Sequence, residues 1–438
     1  LGIAPRVLFE LSAAGWASVL GEIESFPSLE RRRIFHLAYE KRLYTQTLDA
    51  LALHAQDVGE PPAQPAASSR RRPSFQWICC LDEREESMRR HLEELAPEAE
   101  TLGVAGFFNV AMLYRGAAGG EFIAQCPVAI KPDRRVVEET TAAAVAARRS
   151  VIPASWSAWT RREAASVGLV TSVVFPRATQ WAARRLARPR PPAATTRLRL
   201  ERDGDDVGFT LDERVAIAER LLRDMGLVDN LARLAIFAGH GSTSLNNPHV
   251  SAYNCGACGG YSGAPNARAA ALMLNDPRVR EQLAARGLAI PRDTWFAAVE
   301  HETCTDAITA LDADLVPESH RGEYETALAL VVRAAARNAR ERCRRFLSAP
   351  LDLDSKAARA HVAHRALDLS QVRPELGHAT NALCVVGRRA CTRGLFLDRR
   401  AFLTSYDPTR DDDLAILTRT LRAVFPVCAG INLEYYFS

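Results

Sequence analysis

Hydrophobic and polar positions change rhythm twice along the first hundred residues. Over residues 1–58, apolar positions such as Ile34, Leu37, Ala38 and Leu48 recur among charges at helical spacing, which predicts a helical segment. Residues 59–73 lose that periodicity. Glu60 to Pro73 reads EPPAQPAASSRRRP, a linker by composition.

From residue 74, short apolar runs alternate with charged amphipathic stretches. Phe75 to Leu81 (FQWICCL) predicts a buried strand. Glu83 to Leu95 predicts a helix whose first turn carries Glu83, Glu85 and Glu86, where the helix dipole favours acids. A second unit follows: a strand at Leu234 to Ala238, a glycine-rich loop from Gly239 to Asn266, and a helix from Ala267 to Arg286. Trp295 to Val299 is a third strand candidate, and Glu323 to Leu347 a long helix.

Such alternation predicts an α/β core over residues 74–347, with a parallel-containing sheet covered by helices. Residues 135–210, rich in Ala, Arg and Pro and holding Trp156, Trp159 and Trp181, read as an insertion in it. Residues 348–438 read as a C-terminal region packed on the core, ending in Tyr435, Tyr436 and Phe437. In parallel sheets, ligands sit at the carboxyl ends of strands.

A hydrophobic fraction of 47% and a charged fraction of 25% are those of an ordinary globular protein. The net charge of +4 does not call for nucleic acid. Basic residues do cluster, at Arg70 to Arg72 and from Arg177 to Arg199. The latter stretch, with the apolar run before it, reads as a docking surface for a partner or anionic lipid, or equally as a solvated linker. No window reaches the roughly 18 consecutive apolar residues of a membrane span. The nearest, Ala164 to Pro176, is short and holds Ser166, Thr171 and Ser172. The 10 cysteines are scattered and no secretory signal opens the chain, which points to a reducing compartment and to thiols free for metal. Because the chain opens on Leu1, already within a helical pattern, it is expected to be a piece of a longer protein.

Two motifs carry chemistry. The first is Cys80-Leu81-Asp82-Glu83-Arg84. Residues two apart on a strand face the same way, so Cys80 and Asp82 can converge while Cys79 faces the opposite side. A thiolate and a carboxylate on one side make half a zinc site, and Arg84 is placed to grip Asp82 with two prongs. The plain alternative is a core cysteine and a helix-capping aspartate.

The second motif is Gly239-His240-Gly241, followed by Cys255-Gly256-Ala257-Cys258-Gly259-Gly260. A histidine straight after a buried strand, flanked by glycines, has room for what it holds. The cysteine pair admits a redox reading and a structural zinc-knuckle reading, and neither spacing fits well. Ser242, Thr243, Asn246, Asn247 and His249 are candidates to orient ligands or an anion, or simply form a polar turn capped by Pro248. The glycines from Gly256 to Gly263 before a helix give a weak anion-binding signal. His301, Glu302 and Asp306, after the third strand, offer a second metal, a proton relay or a polar strand end.

These residues resemble the DabA family, the large soluble subunit of a two-part inorganic-carbon accumulation system. The likeness rests on Cys80 to Glu93 (CLDEREESMRRHLE), Gly239 to Arg268 (GHGSTSLNNPHVSAYNCGACGGYSGAPNAR), and Gln371 to Asp407 with its RPELG and FLTSYD. The tail NLEYYFS, from Asn432 to Ser438, carries it as well. Family members are considerably longer, and Cys79 departs from their usual pattern.

The resemblance implies a zinc ion on Cys80, Asp82, His240 and Cys255 in a site of the β-carbonic-anhydrase type, with Asp82 and Arg84 as the catalytic dyad. It implies hydration of CO2 to bicarbonate in concert with DabB, a membrane subunit similar to proton-conducting subunits of respiratory complexes. The expected location is the cytoplasmic side of the cell inner membrane, as a peripheral protein. Rival readings are a structural-zinc interaction protein and, last, a two-metal hydrolase of the alkaline-phosphatase kind, for which thiol-free ligands are too few.

Overall fold

The computed structural model describes residues 5–58, 71–140, 196–248, 250–375 and 377–437. The linker residues 59–70, the insertion residues 141–195 with Trp156, Trp159, Trp181 and the run before Pro176, and His249 lie outside the described residues. Most of the basic stretch from Arg177 to Arg199 does too.

The chain divides into two units, residues 1–62 and 63–438. The first contains helices α1 (Pro5–Phe9), α2 (Ala13–Ser25) and α3 (Ser28–Val58). Ser12 caps α2, its hydroxyl accepting the Gly15 N–H at 3.1 Å.

The second unit is built on a five-stranded sheet. Its strands, with those of the smaller sheets, run β1 (Gln76–Cys80), β2 (Glu100–Val104), β3 (Met112–Arg115), β4 (Ile123–Gln125), β5 (Arg135–Thr140), β6 (Thr196–Arg199), β7 (Leu234–Gly241), β8 (Trp295–Glu302), β9 (Ala307–Leu311), β10 (Leu383–Gly387) and β11 (Ala401–Ser405). Helices are α4 (Glu83–Leu95), α5 (Leu211–Asp224), α6 (Ala264–Asn275), α7 (Pro277–Ala285), α8 (Glu318–Cys343), α9 (Ser355–Ala366) and α10 (Ala415–Phe437).

The main sheet has the order β2-β1-β7-β8-β9; the first four strands are parallel and β9 closes one edge antiparallel. The fold is therefore a mixed α/β one with a parallel-containing sheet covered by helices. Smaller sheets are β4-β3-β5-β6, which pairs the described ends of the insertion, and β10-β11.

Alternation along β1 and β7 sorts the two faces. Trp77, Cys79 and Ile236 pack against Met88 and Leu92 of α4 and Val331 of α8. Ile78 and Phe237 pack, with Phe296 of β8, against Leu221 of α5 and Met273 of α6. Each such buried side chain contributes about 1.5–3 kcal/mol. Cys79 thus belongs to one hydrophobic layer, while Cys80 joins a separate cluster with Cys255, Phe402 and Val424.

Several boundaries differ from the sequence expectation. Strand β7 continues through Gly241 and β8 through Glu302, because Gly239, His240 and Gly241 pair in register with Glu300, His301 and Glu302. His301 and Glu302 therefore lie on the strand, not after it. The helix expected from Ala267 to Arg286 begins at Ala264 and is two helices: Pro277 has no N–H to continue α6, and the Asp276 side chain caps α7 by accepting the Arg278 N–H at 2.9 Å. The long helix α8 starts five residues earlier than expected and ends at Cys343.

Candidate metal centre

From β1 the chain leaves toward β2 through α4, while the neighbour on its other side is β7. Strand order reverses between β1 and β7, and the carboxyl ends of such a pair form the crevice where ligands bind in open α/β sheets. Cys80 is the last residue of β1, and His240 lies next to the last of β7.

Cys80, His240 and Cys255 each offer one donor atom, all within 4.8 Å of one another, and all three residues are buried. The Cys80 and Cys255 sulfurs stand 4.0 Å apart. Two sulfurs on one tetrahedral zinc, at about 2.3 Å each, are separated by about 3.8 Å. Cys255 enters from the glycine-rich segment, at the start of a short turn of helix, Gly256–Cys258. Cys258 is buried but is not part of the three-donor group.

The donor chemistry fits a thiophilic ion. The Cys80 thiol is held well above its usual range by its hydrogen bond with Cys255 and by burial; burial does the same to Cys255. Without a cation these sulfurs are neutral, and metal binding would release their protons. Nδ1 of His240 is buried with no hydrogen-bond partner among the described residues. Gly106, in the loop after β2, covers the sulfurs: a Cβ there would lie 2.7 Å from the Cys255 sulfur and 3.2 Å from that of Cys80. Sequence reasoning gave Gly106 no role, because only a close tertiary approach reveals it.

Asp82 stands at the edge of this group. Its Oδ2 is 3.5 Å from His240 Nε2. Its carboxylate is gripped by Arg84, Nε to Oδ1 at 2.8 Å and an NH2 nitrogen to Oδ2 at 3.0 Å. It also caps α4, Oδ1 accepting the Arg84 backbone N–H at 2.9 Å. Asp82 thus both caps the helix and pairs with Arg84. Burial works against its charge, but Arg84, His378 and His240 together outweigh it and hold the carboxyl well below the usual range.

Arg84 is itself fully buried. It donates to Glu375 at 3.0 Å, to the Thr303 hydroxyl at 3.1 Å and to the carbonyl of Tyr253. The Ser242 hydroxyl donates to the same Glu375 oxygen at 2.7 Å, and its N–H to Asn254 Oδ1 at 2.9 Å. His378 completes the surround, with Nε2 3.5 Å from Asp82 Oδ2 and Nδ1 2.9 Å from Glu83. Asp82, Glu83 and His378 form a second group whose donor atoms lie within 4.8 Å of one another. Glu375 and His378 were missed as site residues, although Glu375 lies in the RPELG run.

Other polar candidates lie farther from the donors. Thr243 binds Glu302 through its N–H at 2.8 Å and its hydroxyl at 2.7 Å, and Asn246 donates to the Leu369 carbonyl. His301 contacts Glu85 at 2.7 Å and Asp306 at 3.3 Å, and Asp306 is held by Asn338 and Arg342. This is a buried network of ion pairs in which Glu85 Oε2 has no hydrogen-bond partner among the described residues.

The family model described as "Probable inorganic carbon transporter subunit DabA" matches residues 6–438. The chain belongs to the DabA family. It is 47% identical to "Probable inorganic carbon transporter subunit DabA 2" of Rhodopirellula baltica, covering 100% of this chain and 43% of that protein. A Sorangium cellulosum DabA is 45% identical over 98% of this chain and 44% of its own length. The Methylococcus capsulatus DabA is 40% identical over 100% and 43%. The chain thus spans less than half the length of these DabA relatives. No solved structure gives a significant match. Among the described residues, no helix is long and apolar enough to cross a membrane.

Proposed function

We propose that this DabA chain carries the zinc-binding, CO2-hydrating centre of an energy-coupled inorganic-carbon uptake system. The observation that carries the proposal is the convergence of Cys80, His240 and Cys255 at the strand-order reversal, with Asp82 beside them in the grip of Arg84. The family, described as inorganic carbon transporter subunits, suggests the substrate class and a partner subunit.

Zinc, when bound, would supply an acidified water at neutral pH. The residues divide the remaining work. Cys80, His240 and Cys255 would hold the ion, and their two thiolates would offset its charge. Asp82, which Arg84 grips, would be the further residue able to hold the ion, and its exchange between the ion and Arg84 would govern access to the metal. Arg84 is fixed in place by Glu375, Thr303 and backbone carbonyls, so it receives the carboxylate without moving. His378, anchored on Glu83, offers that carboxylate a further contact.

The site is of the β-carbonic-anhydrase type in its donor set. The partner that sets the direction is the membrane subunit DabB, whose proton flow would bias the Asp82–Arg84 pair. The chain would then sit peripherally on the cytoplasmic face of the inner membrane. Full-length protein with this partner, assayed by bicarbonate accumulation in cells, tests the proposal. Arg84→Ala is expected to abolish accumulation while zinc content holds; undiminished accumulation would sink the gate. A second reading follows from the potentially closed four-ligand set, a structural zinc in an interaction protein. Under it, Asp82→Asn lowers stability more than accumulation.

A further inference from the structure

The candidate metal centre has an apolar side that the proposed function leaves without a task. A cavity of about 1150 Å³ opens on the surface between the loop after β2, the residues around Pro127, α5 and α10. A second, very small chamber of about 10 Å³ lies against Cys80 and Asp82 themselves. That is room for about one water-sized molecule, so a larger one such as CO2 or xenon enters only as the wall formed by Leu81 and Val424 gives. Leu81, Ala105, Pro127, Gly256, Ala423 and Val424 line both spaces, so the large cavity and the chamber share one wall. Ala257 and Phe402 close the chamber's remaining sides.

The shared wall carries no ionisable side chain. Charged side chains on the large cavity, such as Arg220, Arg419 and Arg422, are exposed, whereas Leu81, Phe402 and Val424 are buried. An anion crossing here would shed its water and find no side-chain donor; a small uncharged molecule would not. The opposite side of Asp82 is the reverse, filled by Arg84, His378 and Glu83.

The geometry points to this wall as a gas throat: an uncharged linear molecule of the CO2 class reaches the metal position from the large cavity, across Leu81 and Val424, into the chamber over Cys80 and Asp82. The inference rests on the proposed function for its substrate, and on the two adjoining spaces for its path. Val424 and Ala423 come from α10, the helix containing Pro426, which cannot donate to the carbonyl one turn before it. The throat's width is thus set by packing of one helix against Leu81 and Phe402. Substitution at Val424 changes the path without touching a metal donor.

Xenon is the probe, as an apolar atom able to follow the same path. Crystals of the zinc-loaded protein are pressurised with xenon, and xenon and zinc are both located by anomalous scattering. Wild type should show xenon in the chamber beside zinc. Val424→Trp should keep the zinc and the outer xenon and lose the inner one; Val424→Ala should keep both and serves if the larger residue prevents folding. Xenon absent from the wild-type chamber, or undiminished there in Val424→Trp, would overturn the throat. Xenon in the chamber with no zinc on the thiols would instead overturn the metal reading and leave the path standing.

Discussion

Two histidines sit opposite each other in register on adjacent strands, His240 on β7 and His301 on β8, and their surroundings differ in kind. Both are fully buried. His301 has both ring nitrogens engaged by carboxylates, and Asp306 is neutralised in turn by Arg342. His240 lies among thiols, and its Nδ1 is unpartnered. The His240 Nε2 meets Arg84 at 3.3 Å and Asp82 at 3.5 Å, and the residue shares a group of candidate donors with the sulfurs of Cys80 and Cys255. The comparison sets a network of ion pairs beside a cluster of candidate metal donors.

The largest effect that sharpens this contrast is on the brace. Asp306→Ala leaves Arg342 without its close carboxylate and His301 with Glu85 alone, and is expected to lower unfolding free energy by about 3–5 kcal/mol. Urea denaturation reads this. Zinc content of the molecules that remain folded should be unchanged; loss of zinc together with stability would erase the distinction.

The brace should also titrate. Burial pushes the His301 ring toward neutrality, but Glu85 and Asp306 outweigh it and hold its pKa at about 10. The folded value is raised above the ordinary one of about 6.5. Its stabilisation is therefore fully present below about pH 6.5 and is lost as pH rises through about 10. His301→Gln should flatten that part of the stability–pH curve; an identical slope in both proteins would show that another group is responsible.

The smallest expected effect is on the site's cover. Gly106→Ala puts a methyl group 2.7 Å from the Cys255 sulfur, costing about 1–3 kcal/mol in the metal-free protein. It should also weaken metal retention against a chelator, since the sulfurs must part. Wild-type retention would mean that the loop has space to yield.

Much of the convergence of Cys80, His240 and Cys255 was legible because period-two alternation is local. It placed Cys80 on the face opposite Cys79, and the strand ends put Cys80 and His240 where parallel sheets bind ligands. The strand lengths were not legible: Gly239 to Gly241 and Glu300 to Glu302 have loop-like composition, and only their mutual pairing makes them strand. Glu375 and His378 lie nearly 300 positions from Arg84, outside any helix or strand longer than a short turn, so no periodicity announced them. Gly106 was silent for a different reason. Its role is the absence of a side chain at a tertiary contact, which leaves no trace in a pattern of residue types.

The central claim is that β1, β7 and the Cys255 loop together hold one metal ion. The most direct test is zinc per chain, measured by atomic emission after dialysis, in wild type, Cys80→Ala and His240→Ala, with circular dichroism on each. The account predicts about one zinc in the wild type. It predicts loss of that zinc from both variants, with helical content retained. Folded wild-type protein that holds no zinc, or variants that keep it, would contradict it.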